Sequence, residues 1–131
     1  MRSLLLDTVT LIRWTLGRVP NRVRRLMNQP GTSLYVSTIS PWEITLKPQL
    51  RRYGLTQKDL LTVMSDALAV ELLPVTLPHA VEFNQLPQFT EHTDPFDRML
   101  IAQALAERYT LVSPDTRFPL YEPHGLQLLW E

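Results

Sequence analysis

The sequence predicts an α/β protein: a three-layer α/β/α sandwich around a mainly parallel sheet, formed as a single domain over residues 1–131. Three observations predict it. Short apolar runs of strand length alternate with segments of helical spacing along the chain. The first run, Leu4-Leu5-Leu6, is wholly apolar, as in a buried strand. The length of 131 residues, without repeats or low-complexity linkers, suits one compact domain.

Residues 3–6 form the first predicted strand, which ends at Asp7. Residues 8–16 carry Leu11, Ile12 and Leu16 at helical spacing, and Gly17 stops that helix. Pro20 opens a second helix through Met27, terminated by Pro30-Gly31. Residues 34–38 read as the second strand. Residues 40–46 read as a helix start with proline at its first position. An amphipathic helix follows over 56–69, with Leu60, Leu61, Val63, Met64 and Leu68 on or near one face. Residues 70–75 are the third strand, 78–86 a helix, and the polar stretch 88–93 a loop. The strongest helix covers 94–109. Strands over 110–113 and 126–130 complete the sheet.

Composition narrows the chemistry. Apolar residues make up 44% of the chain, enough for one core and too many for a disordered segment. There is no cysteine, which removes disulfide frameworks, thiolate zinc sites and cysteine nucleophiles together and fits a reducing compartment. Asp7 interrupts the only apolar run near the start, so a signal peptide is not expected. No stretch approaches the ~18 apolar residues of a membrane span. A soluble, cytoplasmic protein without a membrane partner is therefore expected. The net charge is zero but unevenly placed. Residues 1–42 hold six arginines against Asp7, a balance of +5, and the remainder holds seven basic against twelve acidic residues, a balance of −5. That asymmetry suggests an anionic partner on one face, although Arg22, Arg24 and Arg25 also suit the solvated side of a surface helix.

Four acids stand out by position. Asp7 directly follows the first strand and Asp115 follows the fourth, in LVSPD. Ser40-Pro41-Trp42-Glu43 and Asp94-Pro95-Phe96-Asp97 each read as cap, proline, aromatic, acid. Each acid also has a structural reading. Aspartate is common in strand-ending turns, and an acid at the third helical position complements the helix dipole. Their combination suggests more, because ligands of parallel sheets sit beyond the carboxyl ends of the strands, where helix N-termini also point. Carboxylates converging there repel one another unless hard divalent ions such as Mg²⁺ or Mn²⁺ offset the charge, and such clusters suit phosphodiester hydrolysis.

At these residues the chain resembles the PIN-domain family, and within it the VapC-type toxins of toxin–antitoxin pairs. The matching segments are LLLDTVTLIRW (4–14), VSTISPWEITLK (36–47), LPVTLPHAVEFNQLP (73–87), HTDPFDRMLIAQALAERYTLVSPD (92–115) and LQLLW (126–130). The resemblance implies a PIN-like fold, Mg²⁺- or Mn²⁺-dependent cleavage of RNA, a VapB-like antitoxin as partner, and a homodimer. It implies catalytic roles for Asp7, Glu43, Asp97 and Asp115, with Asp7, Asp97 and Asp115 holding metal. Asp94 is the rival for the third position. Spacing to the LIA stretch favours Asp97 and makes Asp94 a helix cap or an outer group. Thr8 and Ser40 match hydroxyl positions around the metal ligands. Val9 stands where the family often has Asn or His, and Pro48 ends the third predicted helix earlier than the family pattern.

Arg13, Arg18, Arg22, Arg24 and Arg25 are candidates for RNA phosphates, and Arg98 for a phosphate or an antitoxin carboxylate at the rim. His79, His92 and His124 lack ligand spacing; His92 could touch substrate from the loop before Asp94, but a plain loop histidine is the favoured reading. Trp14, Trp42 and Trp130 read as core anchors. A non-catalytic PIN-like interaction module is the alternative reading. An aspartyl-phosphate protein is disfavoured, because Val9 replaces the second aspartate of the phosphatase type and no lysine follows Lys58 for a receiver.

Overall fold

The computed structural model describes residues 2–56, 58–59, 62 and 70–130. Five strands, β1 (Arg2–Leu6), β2 (Thr32–Ser37), β3 (Val70–Leu73), β4 (Thr110–Val112) and β5 (Gln127–Leu129), form one sheet in the order β3-β2-β1-β4-β5. Every neighbouring pair is parallel. The chain therefore winds outward from β1 on one side and then from β4 on the other. The crevice between the carboxyl ends of β1 and β4 is the switch point where open α/β sheets bind ligands.

Both faces of the sheet are covered, which explains the unbroken apolar run in β1. Leu4 and Leu6 enter one core cluster with Leu11, Ile12, Val23 and Met27, from α1 (Thr8–Thr15) and α2 (Asn21–Met27). Leu5 enters the opposite cluster with Leu100, Ile101, Ala104 and Leu111. Those helical residues belong to α6 (Pro95–Glu107), which packs against α5 (Leu77–Gln85). The three-layer α/β/α architecture follows, with the two helical layers taking alternate side chains of each strand. His79 is fully buried between α5 and α6. Its Nδ1 accepts from Thr76 N at 3.1 Å, and its Nε2 lies 3.1 Å from Glu107 Oε2. It is a capping and tethering residue.

Several expectations change. Helix α3 (Ile39–Leu46) begins at Ile39, not Ser40, so Ser40 is not its cap and Pro41 is its third residue. Proline is tolerated there because the first turn's N–H groups have no helical partner to lose. Trp42 is not a core anchor: it is 59% exposed and meets Phe96 edge-on at 5.2 Å. Trp14 and Trp130 are half-buried and do pack on the first cluster. Pro48 does end α3, and it starts the short α4 (Pro48–Arg51). The predicted helix over 56–69 lies largely outside the described residues. At its start, Thr56 and Asp59 cap each other, Thr56 N to Asp59 Oδ2 at 2.9 Å and Asp59 N to Thr56 Oγ1 at 3.1 Å. A 3₁₀ helix over Phe118–His124, not foreseen, inserts Phe118 and Tyr121 into the second cluster.

Helix α6 ends on Arg108 in a left-handed conformation, φ 60° and ψ 37°. A side chain with a Cβ is strained there, whereas glycine is not. Arg108→Gly is expected to stabilise the protein by about 0.5–1 kcal/mol in denaturant unfolding, the relief of strain exceeding glycine's extra unfolded entropy. Loss of stability would show that the exposed Arg108 side chain matters more than its backbone.

Candidate active site

The two strand-end acids flank the switch point. Asp7 N donates to Val112 O at 3.1 Å, which fixes the turn after β1 beside β4. Asp7 is also the N-cap of α1, with Oδ1 accepting from Thr10 N at 2.7 Å, while Oδ2 accepts from Ser113 Oγ at 2.6 Å. Burial pushes its carboxyl up to about 6, and the nearby Asp115 adds to the rise despite the opposing bonds from Ser113 and Thr10. Asp115 is held differently. Oδ1 accepts from Arg117 N at 2.8 Å and Nε at 3.1 Å, and Oδ2 from Arg117 Nη2 at 2.8 Å. Burial works to raise its carboxyl, but the Arg117 bonds and charge outweigh burial and hold it below the usual range.

The helix-borne acids face them. Asp94 caps α6, with Oδ1 accepting from Phe96 N at 2.8 Å and Asp97 N at 3.2 Å, and Pro95 takes the first helical position. Glu43, buried on α3, accepts from the Thr8 hydroxyl at Oε1. Because that hydroxyl donates to Glu43, Ser40 Oγ donates to Thr8 Oγ1 at 3.0 Å, giving a relay from Ser40 through Thr8 to Glu43. Lys47, one turn beyond Glu43, bonds Glu43 Oε2 at 2.6 Å and also pairs with Asp94 Oδ2.

Asp97 has the poorest compensation of the five. Its Oδ2 has His92 Nε2 at 3.4 Å and Arg117 Nη2 at 3.8 Å. Burial foremost, then Asp94 and Glu43, push its carboxyl up to about 8 against the opposing charge of Lys47. His92 lies in the loop before α6 but is buried there, and burial followed by Arg117 lowers its affinity for a proton. Arg98 Nη1 donates to Tyr121 Oη at 2.9 Å, leaving the phenol proton for His92 Nδ1 at 2.8 Å. The neutral ring then carries its proton on Nε2, facing Asp97.

All five acids line one cleft of about 560 Å³, together with Thr8, Arg13, Lys47 and Arg117. Oxygens of Glu43, Asp94 and Asp97 fall within 4.8 Å of one another, as do ligand atoms of His92, Asp97 and Asp115. Asp7, expected to share metal with Asp97 and Asp115, is in neither close set among the described residues and lies deeper, held by Thr10 and Ser113. The donor set is hard oxygen and carries a deficit of positive charge at Asp97, so it fits a hard divalent ion.

The arginine expectations divide. Arg98 does not reach the rim: it is 5% exposed and its Nη1 is bonded to Pro87 O and Tyr121 Oη. Arg117 occupies that place. Arg13 does line the cleft, with its guanidinium 5.8 Å from the Trp130 ring centre. Arg24 is bonded to Gly17 O and Val19 O, whereas Arg18, Arg22 and Arg25 are exposed outside the cleft. The sequence does not single out Lys47, Arg117 or Tyr121, and His92 reads there as a plain loop histidine. The signals available were the i,i+4 spacing of Glu43 and Lys47 and the Asp-x-Arg turn at Asp115.

The model of the PIN domain family matches residues 4–122. No curated protein matches the chain. Among solved structures, a chain of the Rickettsia felis VapBC2 complex, bound to a DNA fragment from their promoter, superposes with a TM-score of 0.67 at 16% identity. The match covers 98% of this chain and 99% of that one. DNA-bound VapBC from Salmonella typhimurium gives 0.68 at 18% identity, covering 98% of each chain. FitAcB from Neisseria gonorrhoeae gives 0.63 at 18% identity, covering 96% of each. At these identities the likeness is one of fold.

Proposed function

The chain belongs to the PIN domain family, and from that membership we propose that it is a metal-dependent endoribonuclease, the toxin of a VapBC-type toxin–antitoxin pair acting in the cytoplasm. The observation that carries the reading is the convergence of Asp7, Glu43, Asp94, Asp97 and Asp115 at the β1/β4 switch point, with Asp97 short of positive partners. Asp97 and Asp115 would hold Mg²⁺ or Mn²⁺, with Asp7 behind them. When bound, the ion supplies charge neutralisation and a lowered pKa for an attacking water. The chain's own groups do the rest. Ser40 and Thr8 orient Glu43, Ser113 and Thr10 hold Asp7, and the Arg98–Tyr121–His92 relay presents one donor to Asp97. Arg117 and Arg13 edge the cleft where the phosphates of an RNA strand would lie.

A protein partner is supported by a second, apolar cleft of about 340 Å³ beside the acids. It is lined by Trp42, Val75, Phe83 and Phe96 among others, and Trp42 and Val75 are exposed. We assign to such surfaces a VapB-like antitoxin and a second copy of the chain. No helix among the described residues is long and apolar enough to cross a membrane. Purified protein is expected to cleave RNA with Mg²⁺ or Mn²⁺ and to stop when the ion is chelated. Cleavage unchanged by chelation would exclude this chemistry, and the absence of any divalent-ion binding would favour the non-catalytic interaction module.

A further inference from the structure

Two halves of the acid ring are neutralised in different ways, and the difference concerns how many metal ions the site takes. In the half formed by Glu43 and Asp94, each carboxylate oxygen faces a protein donor. Glu43 has the Thr8 hydroxyl at Oε1 and Lys47 at Oε2, 2.6 Å away. Asp94 has the Phe96 and Asp97 backbone N–H groups at Oδ1 and Lys47 at Oδ2. The ammonium also sits 5.2 Å from the centre of the Phe96 ring, so carboxylates and an aromatic ring hold it together. Its side chain is 20% exposed and starts from the residue that ends α3, so it reaches these acids over a short, fixed span.

Among the described residues, the Asp97–Asp115 half has no such plug, and Asp97 Oδ2 has only long contacts, 3.4 Å to His92 and 3.8 Å to Arg117. Arg117, which bonds Asp115, is 49% exposed and can turn into solvent without leaving a buried charge.

We propose that the Lys47 ammonium is a resident cation in the Glu43–Asp94 half of the ring, standing where a second divalent ion would otherwise bind, so that the site takes one ion on the Asp97–Asp115 half. This rests on the metal-dependent reading above. Two dications would require Glu43 and Asp94 to exchange Lys47 for metal and leave an ammonium beside a divalent charge, a repulsion that a single-ion site avoids. Lys47 is thus a positioning residue that bridges the end of α3 to the start of α6 across the cleft.

Manganese stoichiometry tests this on the full chain, by calorimetric titration and by the spin-coupled signal that paired Mn²⁺ ions give in electron paramagnetic resonance. Wild type is expected to bind one ion without a coupled signal. Lys47→Met, which keeps the length and removes the charge, is expected to bind two and show coupling, whereas Lys47→Arg keeps one. Two ions in wild type would overturn the inference while leaving the metal-dependent function standing, and this count needs no variant to fold. A single ion in a folded Lys47→Met protein would also overturn it. No ion in any of the three would overturn the functional reading and this inference together.

Discussion

Asp97→Asn is expected to lower metal-dependent RNA cleavage by at least ~100-fold, more than losing a group that merely hydrogen-bonds to a metal ligand costs, while making the metal-free protein more stable than wild type. The cause is the charge imbalance at Asp97. Its carboxyl ordinarily titrates at 3.8, but burial, then Asp94 and Glu43, push it up to about 8 in the folded chain. Between those values the folded wild type retains a proton that the unfolded chain has released. Wild-type stability from this group is therefore full below about pH 4, falls as pH rises, and is lost above about pH 8. Asparagine has no proton to lose, so the gap between variant and wild type widens across the same window. Asp94 and Asp115, whose carboxyls are held low, lose their contributions only on the acid side of it. At about pH 8 in chelator the variant should melt at least ~3 °C higher, or about 1 kcal/mol for a domain of this size. Added Mn²⁺ should stabilise wild type and leave the variant unmoved. A gap that does not grow with pH would exclude the charge imbalance at Asp97, and equal stabilisation by Mn²⁺ would remove Asp97 from the metal-binding role.

The parts of this molecule legible in its sequence are those decided within a few residues. Leu4-Leu5-Leu6 reads as a buried strand because both faces of β1 are covered and no polar side chain is needed in it. Asp7 and Gly17 bracket α1, and Asp94-Pro95 opens α6, because capping chemistry is local. Placing the four acids on one edge needed only the added assumption of parallel strands. Ser40 defeats that local logic, because a proline suits either the first or the third position of a helix and the next contact of Ser40 is Thr8, 32 residues away. Trp42 fails in the same way: whether an aromatic on a helix is inside or outside is decided by neighbouring elements. The counter-charges are the least legible. Lys47 meets Asp94 across 47 residues. Arg117 takes the rim place expected of Arg98 because the 3₁₀ helix carrying Tyr121 draws Arg98 inward.

Asp7 should separate catalysis from folding when two substitutions are compared. Asp7→Asn and Asp7→Ala are both expected to lose RNA cleavage, since neither supplies a carboxylate at the β1 end of the cleft. Their stabilities should differ. Asparagine keeps an oxygen for Thr10 N and remains a good N-cap, and its amide can donate to Ser113 Oγ, whose hydroxyl then turns away. Alanine removes the cap of α1 and leaves the Thr10 N–H without its acceptor in a buried place. Together these should place Asp7→Ala about 2 kcal/mol below Asp7→Asn in denaturant unfolding. Measuring the alanine variant against the asparagine variant, and not against wild type, matters because the wild-type carboxyl is pushed up to about 6 and is itself costly to ionise at neutral pH. Equal stability of the two variants would show that the cap does not support α1. Cleavage retained by Asp7→Asn would show that the reaction does not need a charge at this position, and would move the metal site wholly onto Asp97, Asp115 and the acids of the opposite wall.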